Sequence, residues 1–205
     1  MVREDAETRD RLLDAAEELF ARQGSWTTPL AHVVRAAGQR NQSAVQYHFG
    51  TREELIYALI ERDRDRELQL RQELLDRLDA GGGEADLRLA VAALVLPSCA
   101  SLGRARGRRL RLIIADVARG ISDAQLADPR PPDIARTVRL LEAAMPAMPA
   151  GVTATRIAAA LRLQIELTAA RARELEAGRQ PLVSDATFER DLQGLVHAML
   201  AAPPP

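Results

Sequence analysis

The sequence predicts an all-α fold, and three observations carry that prediction. Alanine, leucine and arginine supply 94 of the 205 residues, and all three are strong helix formers. Aromatic residues make up only 3% of the chain, too few for a sheet protein rich in Val, Tyr and Phe. Apolar residues recur at spacings of three and four along most of the chain, the period of a helix with one buried face.

The first helix is expected over about residues 6–22, with Leu12, Leu13, Ala16, Leu19 and Phe20 on its inner face and Gly24 closing it. Thr27-Thr28-Pro29 reads as a helix start, a Thr N-cap with Pro at the first helical position. Leu30, Val33, Val34 and Ala37 give the second helix its buried face, and Gly38 ends it. A third short helix spans about residues 43–49. Thr51 and Glu54 form a capping box that opens a long helix to about residue 79. Gly81-Gly82-Gly83 marks a flexible joint. Five further helical patterns follow, near residues 85–102, 108–119, 134–145, 153–177 and 184–202. Pro97 should kink or split the first of these five.

Composition excludes several classes. A single cysteine rules out an intrachain disulfide framework and a zinc-finger pattern. Met1 leads into Arg3-Glu4-Asp5 and not into an apolar segment, so no secretory signal is expected. No apolar run approaches the roughly 20 residues of a membrane span. A cytoplasmic protein with no membrane association is therefore expected. No nucleophile–base pair, metal-ligand spacing or phosphate-binding loop is present, so neither an enzyme nor a cofactor or metal is expected.

Net charge is −1, and all 28 basic residues are arginine. The total hides an uneven distribution. Seven of the first eighteen residues are acidic, yet residues 19–52 contain no Asp or Glu. That window carries Arg22, Arg35, Arg40, Arg52, His32 and His48. A surface that lies against phosphates would require such a gap; a locally polar segment would produce it as well.

Two short helices joined at a glycine, the second rich in polar residues, form a helix-turn-helix pattern. From Gly38 the chain reads Gln39, Arg40, Asn41, Gln42, Ser43, then Gln46, Tyr47 and His48. Arg, Asn and Gln can pair bidentately with guanine or adenine in the major groove, whereas Tyr47 and Thr28 suit phosphate contacts that fix register.

Leu19-Phe20, Gly24, Thr27-Thr28, Ala36-Ala37-Gly38, Tyr47-His48-Phe49 and Arg52-Glu53-Glu54-Leu55 together resemble the N-terminal signature of the TetR family of bacterial transcriptional repressors, over roughly residues 8–60. The resemblance implies a three-helix DNA-binding domain (1–50), a connecting helix (51–80) and a larger C-terminal helical body (81–205) that binds a small ligand and dimerises. It implies DNA contacts from Thr28, Arg40, Asn41, Gln42, Ser43, Gln46, Tyr47, His48 and Arg52, with base and phosphate roles within 40–43 left open. Phe20, Trp26, Leu30, Val34, Val45 and Phe49 are expected to fill the small domain's core. The spacing between Gly38 and Tyr47 is one residue longer than the usual pattern.

The implied partners are an operator in double-stranded DNA, a second copy of the chain and an unidentified small effector. The last two helices carry apolar stripes suited to pairing: Ile157, Leu161 and Ile165 on one, Phe188, Leu192, Leu195 and Met199 on the other. Leu94, Leu102, Leu112, Ile113, Leu141 and Met145 would line an effector cavity taking an apolar or amphipathic ligand. A fully packed core would instead suit a DNA-bound adaptor that binds a protein. Cys99 reads as an inert core thiol, and Arg104 to Arg111 as a solvated basic face paired with nearby acids.

Overall fold

The computed structural model describes residues 2–41, 43–62, 64–80, 86–129 and 131–204. The described residues form helices and connecting turns, without a strand. In chain order these are α1 (Val2–Gln23), α2 (Leu30–Ala36), α3 (Ala44–Phe49), α4 (Arg52–Arg62), α5 (Arg64–Ala80), α6 (Leu87–Ser101), α7 (Ala105–Ala118), α8 (Asp123–Ala127), α9 (Pro132–Ala144), α10 (Ala150–Glu176) and α11 (Asp185–Ala201). The expected glycine joint at Gly81-Gly82-Gly83 lies outside the described residues, as does Gln42.

Two apolar cores organise the chain. The N-terminal core gathers Leu12, Leu13, Ala16 and Phe20 of α1, Val33 and Val34 of α2, Val45 of α3, and Leu55, Ile56 and Leu59 of α4. The second core gathers Leu74, Leu75 and Leu78 of α5 with apolar residues of α6, α9, α10 and α11. Helix α7 joins the two. Its Ile113 is fully buried in the N-terminal core, and Val117 packs against that core. The reason is periodic: positions 106, 109, 113 and 116 fall along one face of α7. That face carries Arg106, Arg109, Ile113 and Asp116 toward the small domain.

Local sequence explains most boundaries. Gly38 takes a φ of +70° and Gly50 a φ of +79°, conformations open to glycine at little cost. At the first, Gln39 N–H donates to the Val34 carbonyl at 3.0 Å and closes α2 in a Schellman-type turn. The Thr51 hydroxyl accepts from Glu54 N–H at 3.2 Å, one half of the expected capping box. The Asp86 carboxylate caps α6 by accepting from Arg88 N–H at 2.8 Å. Helix α8 has its own capping box, Ser122 with Gln125, and at five residues it was too short to show a periodicity in the sequence.

Pro97 does not split its helix, which runs through it from Leu87 to Ser101. A proline in a helix removes one N–H and leaves the carbonyl four residues earlier without its donor. Here that carbonyl belongs to Ala93, and the buried Arg71 Nε donates to it at 3.1 Å. Where α6 meets α7, a side chain at Gly107 would come within 2.1 Å of the Ser101 carbonyl oxygen, so the approach of the two helices depends on glycine there.

Candidate nucleic-acid interface and effector cavity

The surface formed by α2, the turn after it and α3 contains no carboxylate, because the acid-free window supplies all of it. Arg40, Asn41, Ser43, Gln46 and Tyr47 are exposed on it, with Tyr47 at 74%. The Asn41 side-chain carbonyl accepts from Ser43 N–H at 3.0 Å and leads the chain into α3. Tyr47 meets His48 edge to face, with ring centroids 4.9 Å apart. His48 is half-buried beside Phe49, and Phe49 in turn lies 5.0 Å from the Arg9 guanidinium.

Two expected contact residues do other work. Thr28 is only 1% exposed, and its hydroxyl donates to the Gly24 carbonyl at 2.7 Å. It therefore neither caps α2, whose N-cap is Pro29, nor presents a group to a phosphate. Arg52 donates through Nη1 to the Ser25 carbonyl at 2.6 Å and to the Thr28 carbonyl at 2.8 Å. It pins the α1–α2 turn to α4. The same turn is held from the other side by Asp116 of α7, whose carboxylate accepts from Ser25 N–H at 2.6 Å. Trp26, expected in the core, is 45% exposed. It sits in that turn, where the neighbouring Ser25 and Thr28 take the buried positions.

An ionic joint fixes the small domain to the body. Glu17 of α1 is nearly buried and meets Arg62 of α4 at 2.5 Å and Arg106 and Arg109 of α7 at 3.1 and 2.8 Å. Asp14 adds bonds to Arg62 and Arg106 at 2.8 and 2.9 Å. The arginine cluster of residues 104–111 is thus only partly the solvated face expected of it. Arg106 and Arg109 join the two cores, Arg108 pairs with Glu176 of α10 at 2.6 Å, and Arg111 is buried.

A cavity of about 220 Å³ opens between α5, α6, α7, α9 and α10. Of the six residues expected to line it, only Leu94 does. Ile113 faces the N-terminal core, Leu141 and Met145 pack in the second core, Leu102 is buried at the end of α6, and Leu112 lies on the side of α7 turned to α10. Leu110, Ile114 and Ala118 of α7 take their place, with Ile134, Leu161 and Ile165. One wall is polar and had no signature in the sequence: Arg64, Glu67 and Arg71 project from α5 beside Ser98, Arg111, Asp133 and Gln164. Arg71 and Arg64 share Asp133, with Arg71 Nη1 2.5 Å from its carboxylate. Burial pushes the Arg71 guanidinium down to about 10; Glu67 opposes that shift, while Arg111 and Arg64 add to it.

The stripes expected to pair two copies are mostly used within one chain. Ile157, Leu161 and Leu192 are buried in the second core, Phe188 and Met199 pack against it, and Ile165 faces the cavity. Leu195 alone of the seven stands out, at 46% exposed, on a face of α11 shared with the exposed Gly194 and Ala198. Periodicity finds the apolar face of each helix, but an outer face of small residues leaves no comparable trace.

A glycine-closed turn between two short helices, with an acid-free polar surface on the second, defines a helix-turn-helix DNA-binding protein. Residues 12–59 match the family model described as bacterial regulatory proteins, tetR family. Over those residues the chain is similar to the DNA-binding domain of TetR-family transcriptional regulators. Its fold is similar to that of a TetR-family regulator from Streptomyces coelicolor, at 21% identity over 95% of each chain with a TM-score of 0.54. It is also similar to NalD of Pseudomonas aeruginosa, the secondary repressor of a multidrug efflux pump, at 19% identity over 96% of this chain and 98% of that one, with a TM-score of 0.58. No curated protein matches the chain.

Proposed function

We propose that the protein is a homodimeric repressor that leaves a palindromic operator when a small, largely apolar effector enters the cavity between α5 and α10. The observation that carries this reading is the path from cavity to DNA-binding face along α7. Leu110, Ile114 and Ala118 line the cavity, while Ile113 and Asp116 on the same helix hold the N-terminal core and the α1–α2 turn. Ile60 of α4 likewise packs on the N-terminal core and lines the cavity. An effector acts by binding one placement of the small domain better than another.

Arg40, Asn41, Gln42, Ser43, Gln46, Tyr47 and His48 are the residues proposed to meet DNA, with Gln46 reading bases and Tyr47 a phosphate. Two copies pair through the outward faces of α10 and α11, around Leu195, Gly194 and Ala198, and so set the spacing of two half-sites. An effector cavity favours this reading over a DNA-bound adaptor. The test is a footprint on the DNA flanking the chain's own gene. The expected result is a protected, two-fold symmetric site whose occupancy falls steeply with salt. Protection without symmetry, or none, would overturn the reading.

A further inference from the structure

The polar wall of the cavity has a charge and hydrogen-bond inventory that an aliphatic ligand would not use. The wall holds three guanidinium groups, Arg64, Arg71 and Arg111, and two carboxylates, Glu67 and Asp133. Glu61 meets Arg64 at 2.6 Å from outside, with its side chain more than a third exposed. The wall's own bonds are ordered. Arg71 serves Asp133 and the Ala93 carbonyl. Arg111 donates through Nη2 to Glu67 at 2.7 Å and through Nη1 to the Ser98 hydroxyl at 2.9 Å.

Two buried nitrogens at the wall are left over. Arg111 Nε and the Gln164 amide nitrogen are buried with no hydrogen-bond partner. Both are donors, and an arginine nitrogen can be nothing else. Gln164 is 3% exposed and comes from α10, across the cavity from α5. A buried donor left unpaired costs free energy that an incoming acceptor recovers, and an anionic acceptor bonds more strongly than a neutral one.

We propose that the effector is a small organic acid whose carboxylate is taken by Arg111 Nε and the Gln164 amide and whose apolar body lies on Ile114, Ile134, Leu161 and Ile165. This rests on the reading of the cavity as the effector site. Both nitrogens are shielded from the open cavity, so the Gln164 amide and the Arg111 guanidinium turn toward the head group as it enters. Cavity volume sets the size. A cavity of about 150 Å³ takes benzene, so one about half as large again takes roughly ten non-hydrogen atoms.

Calorimetric titration of the full chain with matched probes tests this. One series is 3-phenylpropanoate, 3-phenylpropan-1-ol and 3-phenylpropylammonium; the other is octanoate, 1-octanol and octylammonium. Within each series the carboxylate should bind at least about tenfold tighter than the alcohol, and the ammonium should give no binding heat. In Gln164→Leu the ratio of carboxylate to alcohol affinity should fall about fivefold or more, because a charged acceptor loses more with the amide than a neutral one. Alcohols binding as well as the acids would overturn the acid assignment and leave the cavity as an apolar effector site. Preference for the ammonium would overturn it too, as would a Gln164→Leu variant with full carboxylate preference. Binding by none of the six probes overturns it as well, while the DNA footprint judges the regulator reading on its own.

Discussion

Arg71 and Ala93 are joined by a hydrogen bond that a proline makes available. Arg71 Nε lies 3.1 Å from the Ala93 carbonyl oxygen, the acceptor that Pro97 leaves without a helical donor. A residue that should break α6 thereby gives a buried guanidinium a second partner beside Asp133.

Replacing Pro97 with alanine should therefore stabilise the protein far less than the roughly 3 kcal/mol separating these residues in an ordinary helix. The restored N–H competes with Arg71 for one oxygen. Thermal melting of Pro97→Ala should shift by no more than about 3 °C, since a kilocalorie corresponds to roughly 2–4 °C in a chain of this size. A rise near 10 °C would show that Arg71 gains nothing from Ala93.

Glu17→Gln tests the ionic joint. It removes the charge that Arg62, Arg106 and Arg109 converge upon. Breaking a buried pair costs about 3–5 kcal/mol. Two of these arginines are substantially exposed, and solvent screening reduces the figure to roughly 2 kcal/mol. A fall in Tm of about 4–8 °C is expected, and an unchanged melt would mean that the carboxylate is not fixing α1 to α7.

Tyr47→Ala and Gln46→Ala should separate DNA affinity from folding. Both side chains are exposed, so stability should change by less than about 0.5 kcal/mol. Anisotropy titrations should show Tyr47→Ala weakening binding evenly across DNA sequences. Gln46→Ala should instead relax preference at one base pair, by about 1–3 kcal/mol. Wild-type affinity in both variants would exclude α3 as the recognition helix.

Leu195→Arg places a charge on the outward face of α11 and should yield a folded monomer by sedimentation. Leu192→Arg, one turn position away but fully buried, should instead abolish folding. A dimeric Leu195→Arg protein would move the interface elsewhere.

Cys99 offers a pH readout. Burial, and next to it Glu189, push its thiol up from 9.0 to about 12. The thiolate is the reactive form, so alkylation of native protein at pH 8 should be about a thousandfold slower than in denaturant, three pKa units being three decades. The rate should climb about tenfold per pH unit through pH 11. Because the folded pKa is the raised one, the native state holds its proton longer than the unfolded chain between pH 9 and 12, and Cys99 withdraws stability as pH rises through that window. A labelling plateau near pH 9 would show an open thiol.

The N-terminal half of the fold was legible because its signals are local. Glycine at Gly38, the periodicity of Leu12 to Phe20 and the missing acids between Glu18 and Glu53 each act within a few residues. The rest depended on what each helix meets. Leu112, Ile113 and Ile114 are consecutive aliphatic residues in the sequence, yet one faces α10, one the N-terminal core and one the cavity. Trp26 misled because its apolar bulk suggests burial, while the turn around it buries Ser25 and Thr28. Arg71 and Arg111 looked like two charges among 28, and only the carboxylates of Glu67 and Asp133, brought from α5 and α9, show why they are inside.

Helix α7 also limits how such a protein could be retargeted. Its cavity-facing positions alternate with those that hold the small domain, so a change in its backbone path that reshaped the cavity would also move the N-terminal core. Leu126, Ile134 and Leu161 line the same cavity but belong to the second core. Variation in chemical specificity is therefore best tolerated on α8, α9 and α10, with α7 kept as the fixed axle.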